Sequence, residues 1–220
     1  MQFIKLIERI ASIIDDDFFD TDRISSQINE KIFEIAQGIE VPGKVNITSP
    51  LTFLYATAEL DLLSAVRFVA LPSDYQRGVF NIHDSDAETF PAMVSFQKFI
   101  QKYPCLETGD ILEACVVHGA SLFYTPSLDK TVTIHYYKAP DTLVNGTDEL
   151  SCIPEHLQQR LIVNGVCKDI FAEIEDGLDG RKVNTEYHEK IFYQAVAALD
   201  RFLGEDGVPE YIENVGDYIQ

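Results

Sequence analysis

The segments FVALPSDYQRG (residues 68–78) and TVTIHYYKAPDTL (residues 131–143) decide the fold. Each is a strand-like run that stops at a proline, Pro72 or Pro140, with an aspartate just beyond, Asp74 or Asp141. In the second, Val132, Ile134 and Tyr136 alternate with Thr131, Thr133 and His135, which predicts a strand with one apolar and one mixed face. Around them, ITSPLTFLYATAEL, RGVFNIHD, ILEACVVHG and ASLFYTP are rich in Val, Phe, Tyr, Thr and Leu and lack helical periodicity. The last two and KTVTIHYYKAP, separated by turns at Gly119 and at Pro126–Asp129, read as an antiparallel meander. One helix, with a stripe from Phe90 to Tyr103 and Pro91 in its first turn, interrupts the strands.

Helical periodicity governs both ends of the chain. Phe3, Leu6, Ile7, Ile10 and Ile14 recur at helical spacing, and a second helix runs on Ile24, Ile28, Ile32 and Ile35. Asp20 or Thr21 is its N-cap, Gly38 its stop, and Pro42 blocks resumption. A third helix starts with Pro154 at its first position and continues to Gly177; a fourth is capped by Asn184 and closed by Gly204. Ala195, Ala197 and Ala198 on it permit close helix approach. The expected fold is α+β, an antiparallel helical bundle (residues 1–43 and 151–206) with an inserted antiparallel β-sheet region and short helix (44–150), and a C-terminal segment (207–220).

Charge narrows the function. With 17 Lys and Arg against 36 Asp and Glu, the net charge is −19. Such a surface repels phosphate backbones, which excludes a duplex-gripping reader but suits a wall along which nucleic acid slides. The N-terminal apolar run carries Lys5, Glu8 and Arg9, against a signal peptide or membrane span, so a cytosolic chain is expected, and Asn46 and Asn145 in their Asn-x-Thr matches carry no glycosylation meaning. Cys105, Cys115, Cys152 and Cys167 are widely spaced and read as reduced thiols.

Chemistry finds no convergent set. Phosphate-binding glycine loops, GxSxG, HExxH and di-iron patterns are all lacking, and no cofactor is expected. His83-Asp84-Ser85-Asp86 groups ligand-type side chains, but such clusters ordinarily form turns or caps. Cys115 and His118 lie three apart on a strand and face opposite sides. Glu173, Glu175 and Asp176 read as a solvated helix face, and His156 and His188 as first-turn residues beside Glu155 and Glu189. No catalytic or metal-binding residue is expected.

Taken in order, Leu71-Pro72-Ser73-Asp74-Tyr75, then Tyr136-Tyr137-Lys138-Ala139-Pro140-Asp141-Thr142-Leu143, then a long helix pair, the chain resembles the head-to-tail adaptor (connector) proteins of tailed bacteriophages over roughly residues 20–203. In that family a strand ending Leu-Pro-x-Asp-aromatic precedes one ending Tyr-Tyr-x-x-Pro-x-x-Leu, so Leu71, Pro72, Asp74, Tyr75, Tyr136, Tyr137, Pro140 and Leu143 become structural motif positions. The resemblance implies a virion protein without enzymatic activity, forming a dodecameric ring beneath the portal protein, contacting tail or nozzle proteins, and letting DNA pass. A docking tail is expected in Tyr211, Ile212, Val215, Tyr218 and Ile219, apolar residues set among acidic ones after the Gly204 and Pro209 breaks. Two other classes compete: a cytosolic protein-binding scaffold, and a phage hydrolase using Cys115 or an acidic pair.

Overall fold

The computed structural model describes residues 1–16, 18–38, 51–84, 90–105, 108–126, 128–175 and 182–203. It is a mixed α+β structure whose chain divides into two compact units, Met1–Leu54 with Pro140–Gln220, and Tyr55–Ala139. The second unit is therefore one uninterrupted stretch inserted into the first.

In the helical unit, α1 (Phe3–Ile14) and α2 (Thr21–Gln37) follow the apolar spacing, burying Leu6, Ile10, Ile24, Ile28 and Ile32 almost completely. Asp20 caps α2, its side chain accepting the Arg23 N–H at 2.9 Å, and Gly38 ends it with φ 103°. The first N–H groups of α1 are met from a distant turn, Phe3 and Ile4 donating to the carbonyls of Asp148 and Gly146 at 2.8 and 3.0 Å. The Asp148 carboxylate organises that turn by accepting from the backbone of Val144 and Asn145, which holds its pKa below the usual carboxylate range.

The next helical run is continuous but not uniform. Helix α4 (Glu155–Gln158) passes through a π-helical turn (Gln159–Val163) into α5 (Asn164–Ile174). Pro154 is the residue before the first helical one, one place earlier than expected, since its φ of −53° and ψ of 134° are extended. Buried Gln158 donates to the carbonyls of Leu150 and Ile153, 2.7 and 2.8 Å away, tying the incoming loop to the helix.

Helix α6 (Val183–Leu203) packs along α5. Its cap differs from expectation: Asn184 donates its N–H, and the acceptor is Glu175 at the end of α5, which also takes the Thr185 N–H and hydroxyl. Those bonds, the Thr185 hydroxyl foremost, lower the Glu175 pKa, and the side chain is buried rather than on a solvated face. Glu173 is exposed, as expected, and pairs with Arg23 at 2.5 Å, while Asp176 lies outside the described residues.

Lys31 sits at the centre of the helical unit, 4% exposed, on the same stripe as Ile24, Ile28 and Ile35. Its ammonium pairs with Asp169 at 2.5 Å and with Glu34, and lies 5.5 Å from the Phe192 ring centroid. Burial pulls its pKa down, but the hydrogen bonds to Asp169 and Glu34 outweigh it and the net shift is upward. Gly165 on α5 makes room for this: a Cβ there would lie 2.9 Å from both Lys31 Cδ and Phe192 Cε2.

The inserted unit contains two sheets, β1-β7-β3 and β2-β6-β5-β4, with β1 (Tyr55–Leu62), β2 (Phe68–Ala70), β3 (Tyr75–His83), β4 (Ala92–Met93), β5 (Ala114–His118), β6 (Ser121–Thr125) and β7 (Lys130–Lys138). Leu60, Leu62, Ile82, Leu122, Tyr124, Val132, Ile134 and Tyr136 share one core, so residues from both sheets meet there. The alternation read in β7 holds, with Val132, Ile134 and Tyr136 buried.

Two expectations need correction. Strands β5 and β6 form a hairpin, but β7 does not extend it; β7 pairs with β1 and β3 in the other sheet. A turn joins strands without fixing which sheet the next one enters, and β7 finds in β1 an eight-residue antiparallel partner, Tyr55 opposite Tyr137 through Leu62 opposite Lys130. The region is not wholly antiparallel either, because β4 pairs with β5 in parallel. That pairing occupies Ala92 and Met93, so the short helix α3 (Phe96–Lys102) starts later than its apolar stripe suggested, capped by Ser95.

Gly165→Ala should destabilise the helical unit by about 1–2 kcal/mol, because steric crowding outweighs the helix propensity alanine gains. Chemical denaturation of the full chain checks it, and a stabilised variant would show that the Lys31 and Phe192 side chains give way freely.

Candidate functional site

The two proline-terminated motifs meet in the inserted unit. Pro72 to Tyr75 form a turn closed by the Tyr75 N–H donating to the Pro72 carbonyl at 3.0 Å, and Leu71, buried in the core, donates its N–H to Ala120. The Tyr136 hydroxyl donates to Asp74 Oδ1 at 2.8 Å. The Ala139 N–H donates to the Asp74 carbonyl at 2.6 Å, Tyr75 pairs with Lys138, and the Tyr75 and Tyr136 rings lie 6.1 Å apart. Burial, then the Asp74 carboxylate, push the Tyr136 pKa up to about 12.

The second motif then leaves this unit. Pro140 begins the return into the helical unit, where Leu143 is buried and its backbone N–H and carbonyl are both bound by the Asn29 side chain of α2, at 2.9 and 3.0 Å. Pro72, Asp74, Tyr75 and Tyr136 thus form a corner, whereas Leu143 is an anchor on α2. The five tail positions, Tyr211, Ile212, Val215, Tyr218 and Ile219, lie outside the described residues.

Tyr137 points the other way from Tyr136 and joins an aromatic face that the sequence reading missed. On sheet β1-β7-β3, the Phe80 centroid lies 5.2 Å from Tyr137, 6.0 Å from Tyr55 and 6.2 Å from His135. The Tyr55 hydroxyl is 2.7 Å from His135 Nδ1. Tyr55 and Phe80 remain 49% and 45% exposed, an aromatic patch of the kind that serves macromolecular contact. The mixed face of β7 was its signal, since His135 and Tyr137 alternate with the core residues; Phe80 and Tyr55 needed the cross-strand register. Gly78 takes φ 64° in β3, a conformation that other residues adopt only with strain, while a Cβ there would make only ordinary contact with Tyr137 Cδ2 at 3.6 Å.

Several other chemistry-bearing residues take structural partners. Asp84 of the His83–Asp86 cluster is buried and paired with Lys130 at 2.6 Å, while Ser85 and Asp86 lie outside the described residues. Asp129, in a polar cleft of about 650 Å³, takes the Ser64 N–H and hydroxyl. Buried His188 contacts Asn164 Oδ1 at 2.9 Å and stacks on Phe171, and burial lowers its pKa. Among the described residues, no group of three or more His, Cys, Asp or Glu is placed to hold a metal ion, and no helix is long and apolar enough to cross a membrane. Burial pushes the Cys115 thiol up to about 12, which makes a thiolate nucleophile costly there.

Two outcomes follow. Thiol labelling of the native chain should modify exposed Cys105 rapidly and Cys115, Cys152 and Cys167 only on unfolding, read by mass spectrometry. Tyr136→Phe should cost about 1.5–3 kcal/mol at neutral pH, the range for a hydrogen bond to a charged group. An unfolded tyrosine releases its proton near pH 10 and Tyr136 near 12, so across that window the folded chain holds the extra proton and stability falls with rising pH. Denaturation midpoints from pH 9 to 12 should therefore fall less steeply in Tyr136→Phe than in the parent.

Comparison with protein families gives a match to the SU10 adaptor protein model over residues 1–209, which ends before Tyr211 and the rest of the tail cluster. No curated protein matches the chain. A match across both units and both motifs assigns the whole described structure to one family: the chain belongs to the SU10 adaptor proteins.

Proposed function

We propose that the chain is a structural adaptor of a tailed phage, one subunit of a ring beneath the portal that joins the capsid vertex to the tail. Family membership across residues 1–209 is the observation that carries this reading. The physical properties agree with it. A net charge of −19 suits a passage through which packaged DNA moves without adhering. Lys31, Gly165 and Phe192 couple α2, α5 and α6 into a stiff support, the helical bundle of this reading, while the Tyr55–Phe80–His135–Tyr137 face offers an interaction surface on the inserted unit. No catalytic step belongs to this role, and the functional form is the virion-assembled ring, dodecameric in this reading.

Residues 207–220 are the portal-docking tail in this proposal. Tyr211, Ile212, Val215, Tyr218 and Ile219 would bury their side chains on the portal, and their position beyond the family match suits a segment that tunes a contact to one particular partner.

Deleting residues 208–220 should leave the chain folded and abolish its co-sedimentation with isolated portal rings. Undiminished binding by the truncated chain would remove the tail assignment. Failure of the full-length chain to bind portals, or its absence at ring multiples in purified particles, would remove the adaptor reading itself.

A further inference from the structure

The chain carries an acidic knob and a basic groove at different places on its helical unit. The sequence from the end of α1 into the first turn of α2 reads Asp15-Asp16-Asp17-Phe18-Phe19-Asp20-Thr21-Asp22. Phe19 is buried and anchors the turn, while Phe18 is 68% exposed with its ring edge-on to Phe19, centroids 5.4 Å apart. Asp16 Oδ1 accepts the Phe18 N–H at 2.9 Å and Arg23 stacks 4.5 Å from the Phe18 centroid, so the exposed ring is held in place. Asp15, Asp16, Asp20 and Asp22 around it are all exposed.

The complementary groove, about 620 Å³, runs along the later turns of α6. Arg160, Lys190 and Arg201 line it with Tyr193, Gln194, Ala197 and Ala198, Arg201 Nε donating to the Ala197 carbonyl at 3.2 Å, and no carboxylate lines it among the described residues. Three cationic residues lining one groove stand out in a chain with 17 basic against 36 acidic residues. The small Ala197 and Ala198 side chains leave space for a ring, and Tyr193 offers it an aromatic surface.

The knob cannot reach its own groove. Arg23 pairs with Glu173, which places the α1–α2 turn at the end of α5 where α6 begins. Ala197, near the groove's centre, is about 18 Å further along α6 from Thr185 at the rise of an α-helix. The geometry points to a head-to-tail contact between two copies, in which Phe18 of one enters the α6 groove of the next and its aspartates face Arg160, Lys190 and Arg201. Such a heterologous contact, repeated, generates a closed ring or an open filament. This inference rests on the ring reading and names the surfaces that join its subunits.

The test uses the full-length chain carrying Phe18→p-benzoylphenylalanine, mixed with an equal amount of ¹⁵N-labelled parent chain and with isolated portal rings of the same phage. After irradiation, mass spectrometry should find cross-links from position 18 to the Tyr193–Arg201 segment in isotope-hybrid pairs. Rings that assemble without that cross-link would overturn the contact and leave the ring reading standing. Cross-linked open chains without closed rings would support the contact and overturn the ring; neither product would refute both. In parallel, Lys190→Glu with Arg201→Glu, and separately Phe18→Ala, should weaken association between copies at least tenfold with helical content unchanged, and added salt should weaken the parent. Unaltered association in these folded variants would overturn the contact.

Discussion

The helical unit depends on keeping one ammonium group in its interior. Lys31 interrupts an otherwise aliphatic stripe, and a buried cation is tolerated only where partners replace its lost hydration. Asp169 from α5 and Glu34 from α2 supply charge, Phe192 from α6 supplies a ring face, and Gly165 supplies the space. A uniformly aliphatic seam would let these helices slide with little penalty. The lysine penalises every register in which its carboxylates are missing, and so selects one arrangement of α2, α5 and α6.

The inserted unit uses a different device. Its corner is set by Asp74, whose carboxylate holds the Tyr136 hydroxyl and whose carbonyl holds the Ala139 N–H. One residue thereby fixes both the side-chain core and the backbone exit of β7. The neighbour Tyr137, facing outward by strand alternation, joins the aromatic face. Adjacent tyrosines thus take opposite places: the first locks the corner, and the second packs on Phe80 in the outward-facing cluster.

Much of this was legible in the residues. Apolar spacing located α1 and α2, Asp20 and Gly38 marked the bounds of α2, and strict alternation oriented β7. The order of the two motifs led to the family that the match over residues 1–209 shows. What failed to show were features requiring a partner distant in sequence. Pairing of β7 with β1 rather than β6 depends on which sheet the chain enters after a turn, and the turn residues are silent on that. Glu175 caps α6 from nine positions before Asn184, so no local capping pattern displays it. Lys31 did leave a trace, for it occupies an apolar position between Ile28 and Ile35, and a lone charge on such a stripe signals a buried pair. The aromatic face left half a trace in His135 and Tyr137; Tyr55 and Phe80 belong to strands whose register only tertiary pairing reveals.

The insertion of one unit within another also sets an order of events at the ribosome. Helices α1 and α2 emerge first, yet α5, which they pack against and which carries Asp169, follows only after the whole of Tyr55–Ala139 has been made. The inserted unit is contiguous and holds its own core, so it can condense while the N-terminal pair still lacks its main partner. Lys31 stays hydrated through that interval and loses its water only when α5 and α6 arrive. The helical unit is thus the last part of the nascent chain to close, and it closes on an inserted unit whose two ends are already side by side through the pairing of Tyr55 with Tyr137.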